Sequence, residues 1–569
     1  MNGVTRHYVT VGDRQVHYRR AGAGPPVVLL HESPLSCARY AGLARALGAR
    51  FTAIALDTPG YGGSDPLAQT SPAIADYASA LALTLDALGI ERCGLYGAHT
   101  GAAIALELAA SEPRRVAALV LDGLLLPTPQ ERRELLECYC PALEPQIDGT
   151  HLLAAWSMRR DMHVYFPWYE RHGGASVRAT MPDAAALHEG MLDHLRAGAG
   201  YGLGYAAAFR YEAIAPLRGL TMPATVLAAA GDVLAAHLRR LPAELPEGVA
   251  VVRDHPAAPA AAAQAIAGHL APAAALAPAP PAPAPVPRTD RITRDYGSTS
   301  VGQLHLRARG GGGGRPLLLI HGSPTSAAML EPLLDRLAAS RPVFAFDTFG
   351  NGESDKPDPE RFAAAQIADF AEVLLEAIDD VGLGELDLYG THTGAAIAIE
   401  AALRLERRVG RIILDGVAMF DEGTVAEFLE RYFIDMTPRT DGAHLVSAWS
   451  TTRDSTIWFP WYRRDPEHRY REDAASAGAL HRALVEFLKS GASYALPYRA
   501  AFTYRAPDRL ARLRVPTLVA VGRGDPLFEF LDAAVDACPV AAGLALPEDP
   551  DETAARFAWF LDHRDGGHA

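Results

Sequence analysis

A chain of 569 residues, 49% hydrophobic and 21% charged, carries more apolar material than one core organises, so two large domains are expected. Its formal net charge of −14, without any basic block, argues against nucleic acid or an anionic membrane as partner and leaves a small molecule. Five cysteines, Cys37, Cys93, Cys138, Cys140 and Cys538, are too few and too irregular for a disulfide framework, and Cys138-Tyr-Cys140 lacks the second pair of a zinc site.

The opening stretch MNGVTRHYVTVGDRQVHYRR has no apolar signal-peptide core. No segment approaches the roughly 20 uninterrupted apolar residues of a membrane span, so a cytoplasmic location is expected. From residue 27 onward the chain reads twice. VVLLHESPLS (27–36) matches LLLIHGSPTS (317–326), and ALDTPGYGGSD (55–65) matches AFDTFGNGESD (345–355), both at an offset of 290. LYGAHTGAAIA (95–105) matches LYGTHTGAAIA (388–398), and an offset of 293 then holds from His99 to Asp232. Such self-similarity fixes the architecture as two tandem copies before any element is assigned.

Within each copy, short apolar runs alternate with longer Ala- and Leu-rich helical patterns, the signature of βαβ units on a parallel, doubly wound sheet. In the second copy the strands are PLLLIHG, PVFAFD, LDLYG, RIILDG and PTLVAVG, and each ends in Gly, Asp or His, where a parallel sheet opens into its ligand crevice. A helical, aromatic insert lies between the last two, at about 127–215 and 420–508, long enough to form a cap. The Ala/Pro run 271–290 cannot form a core and predicts a stiff spacer, dividing the chain into domains 1–270 and 291–569. GGGGG at 310–314 sits between two strands and is expected to be a hairpin loop rather than a phosphate cradle.

Together HGSPTS, DTFGNGESDKP, YGTHTGA, the cap insert and VAVGRGDP resemble the α/β-hydrolase superfamily, particularly its haloalkane dehalogenase and epoxide hydrolase branch, over nearly all of both copies. The resemblance implies an α/β fold, two tandem α/β-hydrolase domains with helical caps, needing no cofactor or metal. It makes YGxHTG the nucleophile elbow, the sharp strand-to-helix turn that lifts one side chain into the pocket. It implies an oxyanion hole at the His31-to-Ser33 and His321-to-Ser323 loops together with Thr100 and Thr393. It also implies an acid at Asp232 and Asp525, with Asp122 and Asp415 as the alternative acid at the preceding strand end.

The departures from that family are two. Histidine, His99 or His392, occupies the nucleophile position, and the family's late general-base histidine is missing: LALPEDPDETAARFAWFL has none, and His255 in RDHPAAP lies too close to its proline. Both losses become intelligible if the elbow imidazole fills the space of the missing base, with one nitrogen on Asp232 or Asp525 and the other facing water or substrate. That dyad suits hydrolysis of an ester-like bond; it equally suits cofactor-free proton transfer of a lyase or isomerase kind, and a ligand-binding pseudo-hydrolase is the non-catalytic alternative.

In the caps, His151, His188, His444 and His481 offer a metal-site reading if they converge on the elbow histidine, although a lone cap histidine is commonly a satisfied polar residue. Trp156, Trp168, Tyr169, Trp449, Trp461 and Tyr462 are candidates to line an apolar pocket, with ordinary cap packing as the alternative. Arg160-Asp161 and Arg453-Asp454 read as helix salt bridges or, if aimed inward, as a substrate carboxylate site. Glu32 replaces the glycine found at Gly322, placing charge beside the oxyanion donors, so the second copy is expected to be the more active. Nothing in the sequence sets an oligomeric state.

Overall fold

In the computed structural model, residues 3–177, 179–229, 231–284, 286–358 and 360–563 are described. Contacts divide the chain into two compact units, Met1–Glu144 with Thr150–Pro285, and Pro145–Gly149 with Val286–Ala569. Each is built on its own eight-stranded sheet.

The first sheet holds β1 (Val4–Val11), β2 (Arg14–Ala21), β3 (Pro26–Leu30), β4 (Thr52–Leu56), β5 (Cys93–Ala98), β6 (Val116–Asp122), β7 (Ala224–Ala229) and β8 (Val249–His255) in the order 1-2-4-3-5-6-7-8. The second holds β9 (Thr293–Thr299), β10 (Gly302–Arg309), β11 (Leu317–Ile320), β12 (Val343–Phe346), β13 (Leu386–Thr391), β14 (Val409–Asp415), β15 (Thr517–Gly522) and β16 (Ala541–Leu546) in the same arrangement. All neighbouring strands run parallel except where β2 and β10 pair. The apolar runs PVVLL and TAIAL are buried on both faces, as strands covered on two sides by helices must be. Alternation then sorts them: Val28 and Leu30 pack into one core layer, Val27 and Leu29 into the layer on the opposite face.

Between β6 and β7 the chain leaves the sheet as five helices, Pro129–Cys138, Thr150–Asp161, Ala184–Ala197, Gly202–Arg210 and Ile214–Arg218. The second unit repeats this between β14 and β15 with Glu422–Arg431, Ala443–Asp454, Ala477–Ser490, Ala495–Phe502 and Ala506–Leu510. Cap and crevice therefore sit where the strands end.

Two expectations need correction. The Ala/Pro run does not begin as a spacer: Ala271–Ala275 forms a 3-10 turn, Ala273 is fully buried in the first core, and the Ala279 N–H donates to the Gly24 carbonyl at 2.9 Å. GGGGG is not a hairpin loop, because β10 pairs with β9 and β12 and not with β11. The run hugs the turn after the next helix so closely that a Cβ on Gly311 or Gly312 would fall within 2.0 Å of the Ala338 or Ser340 carbonyl oxygen.

Candidate active site

The turn from β5 into the helix Thr100–Ser111 is made by one residue, His99, at φ 48° and ψ −110°. His392 repeats it between β13 and the helix Thr393–Leu405 at φ 51° and ψ −114°. A non-glycine residue at positive φ costs about 1–3 kcal/mol and persists only when its surroundings over-determine it. Here the surroundings do so. The His99 N–H donates to the Asp122 carbonyl at 2.9 Å, while its own carbonyl accepts from Ala102 and Ala103 at 3.0 and 3.1 Å. Flanking glycines let backbone meet backbone: a Cβ on Gly97 would lie 2.2 Å from the Gly101 oxygen, and one on Gly101 would lie 2.4 Å from the Leu30 oxygen.

The turn lifts the imidazole to the carboxyl end of the sheet. There Nε2 of His99 lies 2.9 Å from Oδ2 of Asp232, and Nε2 of His392 lies 2.9 Å from Oδ2 of Asp525. Each aspartate is fixed in turn, since its Oδ1 accepts the N–H of Leu234 or Leu527 at 2.7 and 2.8 Å. The Cδ2–Nε2 edge of His99 rests on Gly123, where a Cβ would come within 2.7 Å of both atoms, and Gly416 gives His392 the same room. The Nδ1 edge is thereby turned away from that glycine, and among the described residues it has no hydrogen-bond partner in either copy.

Charge around the first histidine favours its protonated form. Burial alone would lower the His99 pKa, but the charge and hydrogen bond of Asp232, with Glu32 and Asp122 beyond, outweigh it and raise the value to about 9. Burial likewise pulls His392 down, and the Asp525 hydrogen bond and charge prevail to raise it. Burial would raise the Asp232 and Asp525 carboxyls, yet their histidines hold both below the usual range.

Over His99, beneath the cap, lies a partly open cavity of about 370 Å³ whose lining includes Ser33, Thr100, His99, Asp122 and Asp232. Thr100 and Thr393 are first residues of their helices, whose leading N–H groups have no intrahelical acceptor. Ser33 and Ser323 are buried next to cis prolines in the facing loops. Glu32 does not carry a loose charge into the cavity: it meets Arg39 Nε at 2.5 Å and accepts from the Tyr40 hydroxyl at 2.8 Å. Burial would raise its pKa, but Arg39 and His99 hold it below the ordinary range. The expectation that Glu32 spoils the first site therefore loses its basis. The His99 side chain is 30% exposed and that of His392 is 43%, so the first site is the more enclosed of the two.

Several sequence candidates lie elsewhere or do other work. His31 and His321 are not pocket groups: fully buried, each has Nδ1 3.0 Å from the next residue's carbonyl oxygen and accepts the Thr58 or Thr348 N–H at Nε2, bracing the loop from behind. The Asp122 and Asp415 carboxylates are not bonded to the imidazoles. They accept from Tyr96 and Tyr389 at 2.8 and 2.7 Å, and burial raises each carboxyl to about 6. Trp168 and Trp461 donate to the Tyr139 and Tyr432 carbonyls at 2.9 and 3.0 Å and, with Tyr169 and Tyr462, belong to aromatic packing clusters of the caps. Trp156 and Trp449 are buried cap residues.

His444 is buried and accepts the Arg439 N–H, a turn contact; His151 and His188 are buried on neighbouring cap helices, and His481 is partly buried. None of the four joins an elbow histidine in a metal-like group. Among the described residues such a group forms only from His17, Cys37 and Asp57. There the Asp57 carboxylate ties His17 Nδ1 at 2.7 Å to the Cys37 N–H at 2.6 Å, bracing the loop that carries Ser36. The second copy keeps the brace as His305, Asp347 and Ala327 without a thiol, which marks it as structural.

Sequence reasoning missed Tyr96 and Tyr389, whose signal was the LYG preceding both elbows, and the cavity residues Tyr139, Arg159, His163 and Tyr205. His163 is held neutral near pH 7: burial, then Arg159 and Arg39, lower its pKa to about 4.

A strained strand-to-helix elbow, an aspartate after the penultimate strand and a capped crevice, all present twice, define the α/β-hydrolase class. The α/β-hydrolase fold profile matches residues 25–137 and 315–538, more than half the chain, and the chain belongs to this family. Curated relatives include hydrolases: a 2-hydroxy-6-oxononadienedioate/2-hydroxy-6-oxononatrienedioate hydrolase of Pseudomonas putida is 38% identical over 116 residues, 20% of this chain and 41% of its own. A haloalkane dehalogenase of Sphingobium indicum is 35% identical over 113 residues, 19% of this chain and 37% of its own. The matches thus span less than half the length of these relatives. Among solved structures, epoxide hydrolase A of Mycobacterium thermoresistibile is 20% identical at a TM-score of 0.38, over 48% of this chain and 98% of its own. No helix among the described residues is long and apolar enough to cross a membrane.

Proposed function

We propose that the chain hydrolyses an ester-like or similarly activated bond of a small organic substrate, with the elbow histidine as general base and its aspartate as orienting partner. The observation that carries this reading is the 2.9 Å contact between His99 Nε2 and Asp232 Oδ2 inside a covered cavity. A proton shared with the aspartate belongs on Nε2, which leaves the Nδ1 lone pair to take a proton from water as the water attacks. The Thr100 N–H and the Ser33 loop stand where developing negative charge on the attacked carbonyl would be met. No covalent intermediate is required.

A second reading has a specific observation behind it. Neither elbow offers a hydroxyl, thiol or carboxylate nucleophile, and a base with oxyanion donors also serves a lyase or isomerase that abstracts a proton beside a carbonyl. Turnover of an aryl-ester panel in ¹⁸O-labelled water separates the possibilities. Hydrolysis puts one solvent oxygen into the acid product. Deuterium exchange beside the carbonyl in D₂O without cleavage would replace hydrolysis by proton transfer, and saturable binding with neither would leave a ligand-binding pseudo-hydrolase.

A further inference from the structure

Arg159 is set apart from the other charged groups of the first cap. It lies in the last turn of the helix Thr150–Asp161, lines the cavity over His99, and is only 8% exposed. Its Nε has no hydrogen-bond partner, and Nη1 meets only the sulfur of Met162 at 3.8 Å. Among the described residues no carboxylate pairs with it. By contrast the neighbouring Asp161 is taken by Arg171 at 2.7 Å, and Arg39 at the same cavity is taken by Glu32. The sequence had pointed to Arg160; the inward residue is the one before it.

A guanidinium stays charged at any accessible pH, and burying it without a counter-ion is strongly unfavourable unless something else supplies the negative charge. The cap has made room for it: a Cβ on Gly190 would lie 2.8 Å from the Arg159 Nε and 3.0 Å from its Nη2. At the equivalent positions of the second copy stand Thr452 and Ala483, within the aligned DGTHLLAAWSMRRD and DGAHLVSAWSTTRD for the former. The second unit therefore lacks this buried charge.

Resting on the hydrolase reading of the same cavity, we infer that the first domain takes a substrate bearing a carboxylate, held by the Arg159 fork, a contact that Thr452 cannot make in the second domain. A planar carboxylate matches the guanidinium in two parallel hydrogen bonds. A phosphate dianion fits less well, because it would set two charges against one arginine in a cavity that already holds the Asp232 carboxylate.

Calorimetric titration of the full chain with 3-phenylpropanoate and with 3-phenylpropanamide, its uncharged counterpart, tests this. The carboxylate should bind at least about tenfold more tightly at one site, a preference that Arg159→Gln abolishes and Thr452→Val leaves in place. Equal binding of acid and amide by the unmodified chain, or a preference surviving in Arg159→Gln, overturns the proposal. Should Arg159→Gln not fold, Gly190→Ala displaces the guanidinium instead, and an undiminished preference there overturns it as well. The hydrolase reading fails separately: a chain that binds the carboxylate through Arg159 but cleaves no ester keeps this site and loses that function, whereas ester cleavage indifferent to the acid loses only this site.

Discussion

Replacing His99 with glutamine in a His392→Ala background should lower ester hydrolysis by about 100- to 10,000-fold, the range a positioned general base supplies. The background isolates the first domain, and glutamine keeps a polar side chain near Asp232 without a titratable nitrogen. The effect is large because the elbow offers no second route: Thr100 is buried against the helix start, and the other imidazole lining the cavity, His163, sits on the cap. The loss should fall on kcat more than on KM, since the base acts in the transition state and the cavity that binds substrate remains. A rate within about threefold of the parent would remove the histidine from the chemistry.

The second large effect is structural and comes from a residue that never touches substrate. Gly101→Ala should weaken the unfolding transition of the first domain by about 3 kcal/mol and abolish its activity, because the new methyl would stand 2.4 Å from the Leu30 oxygen and 2.9 Å from the His31 oxygen. Neither atom can move alone. Leu30 ends a fully buried strand, and the carbonyl of His31 belongs to the loop that carries Ser33, so relief must shift the elbow helix and the histidine on it. Gly42→Ala is the control, with nothing within 4 Å of its added methyl and an expected change under about 1 kcal/mol. Urea unfolding of both variants, followed by tryptophan fluorescence, gives the comparison.

Much of this was legible in the residues. The offset repeats announced two domains, and the spacing of glycines around His99 and His392 announced a strained turn, because only a close backbone crossing explains small residues on both sides of a bulky one. The pairing with Asp232 and Asp525 followed from topology, since the crevice lies where parallel strands end. What escaped was whatever depends on side-chain direction within the cap. Arg159 and Arg160 are adjacent in sequence, and nothing but the rotational phase of one helix decides which enters the cavity. The cap tryptophans were plausible lining residues by type, yet Trp156 is buried within the cap and Trp168 is held in a hydrogen bond to Tyr139. The Glu32 charge looked harmful because its partner Arg39 is seven residues away and comes beside it only when the loop folds into the turn Cys37–Tyr40. β8 and β16 carry little signal because they are edge strands, largely half exposed, without the alternating burial of a strand that sets one face on the core.

The dependence of kcat/KM on pH, followed from pH 5 to 10 for the His392→Ala chain and for the same chain carrying Asp232→Asn, tests the dyad most directly. A base works only when neutral, and the carboxylates around His99 hold its pKa up to about 9, so the rate should climb with pH and level off near that value. The same raised pKa means that the ion pair adds stability in full below pH 6.5, which is lost as the pH rises through about 9. Removing the Asp232 charge takes away the largest influence that raises the pKa against burial, and the midpoint should drop by at least one pH unit while the plateau falls. A profile that is flat between pH 7 and 10, or a midpoint that Asp232→Asn leaves in place, would contradict a histidine base oriented by that carboxylate.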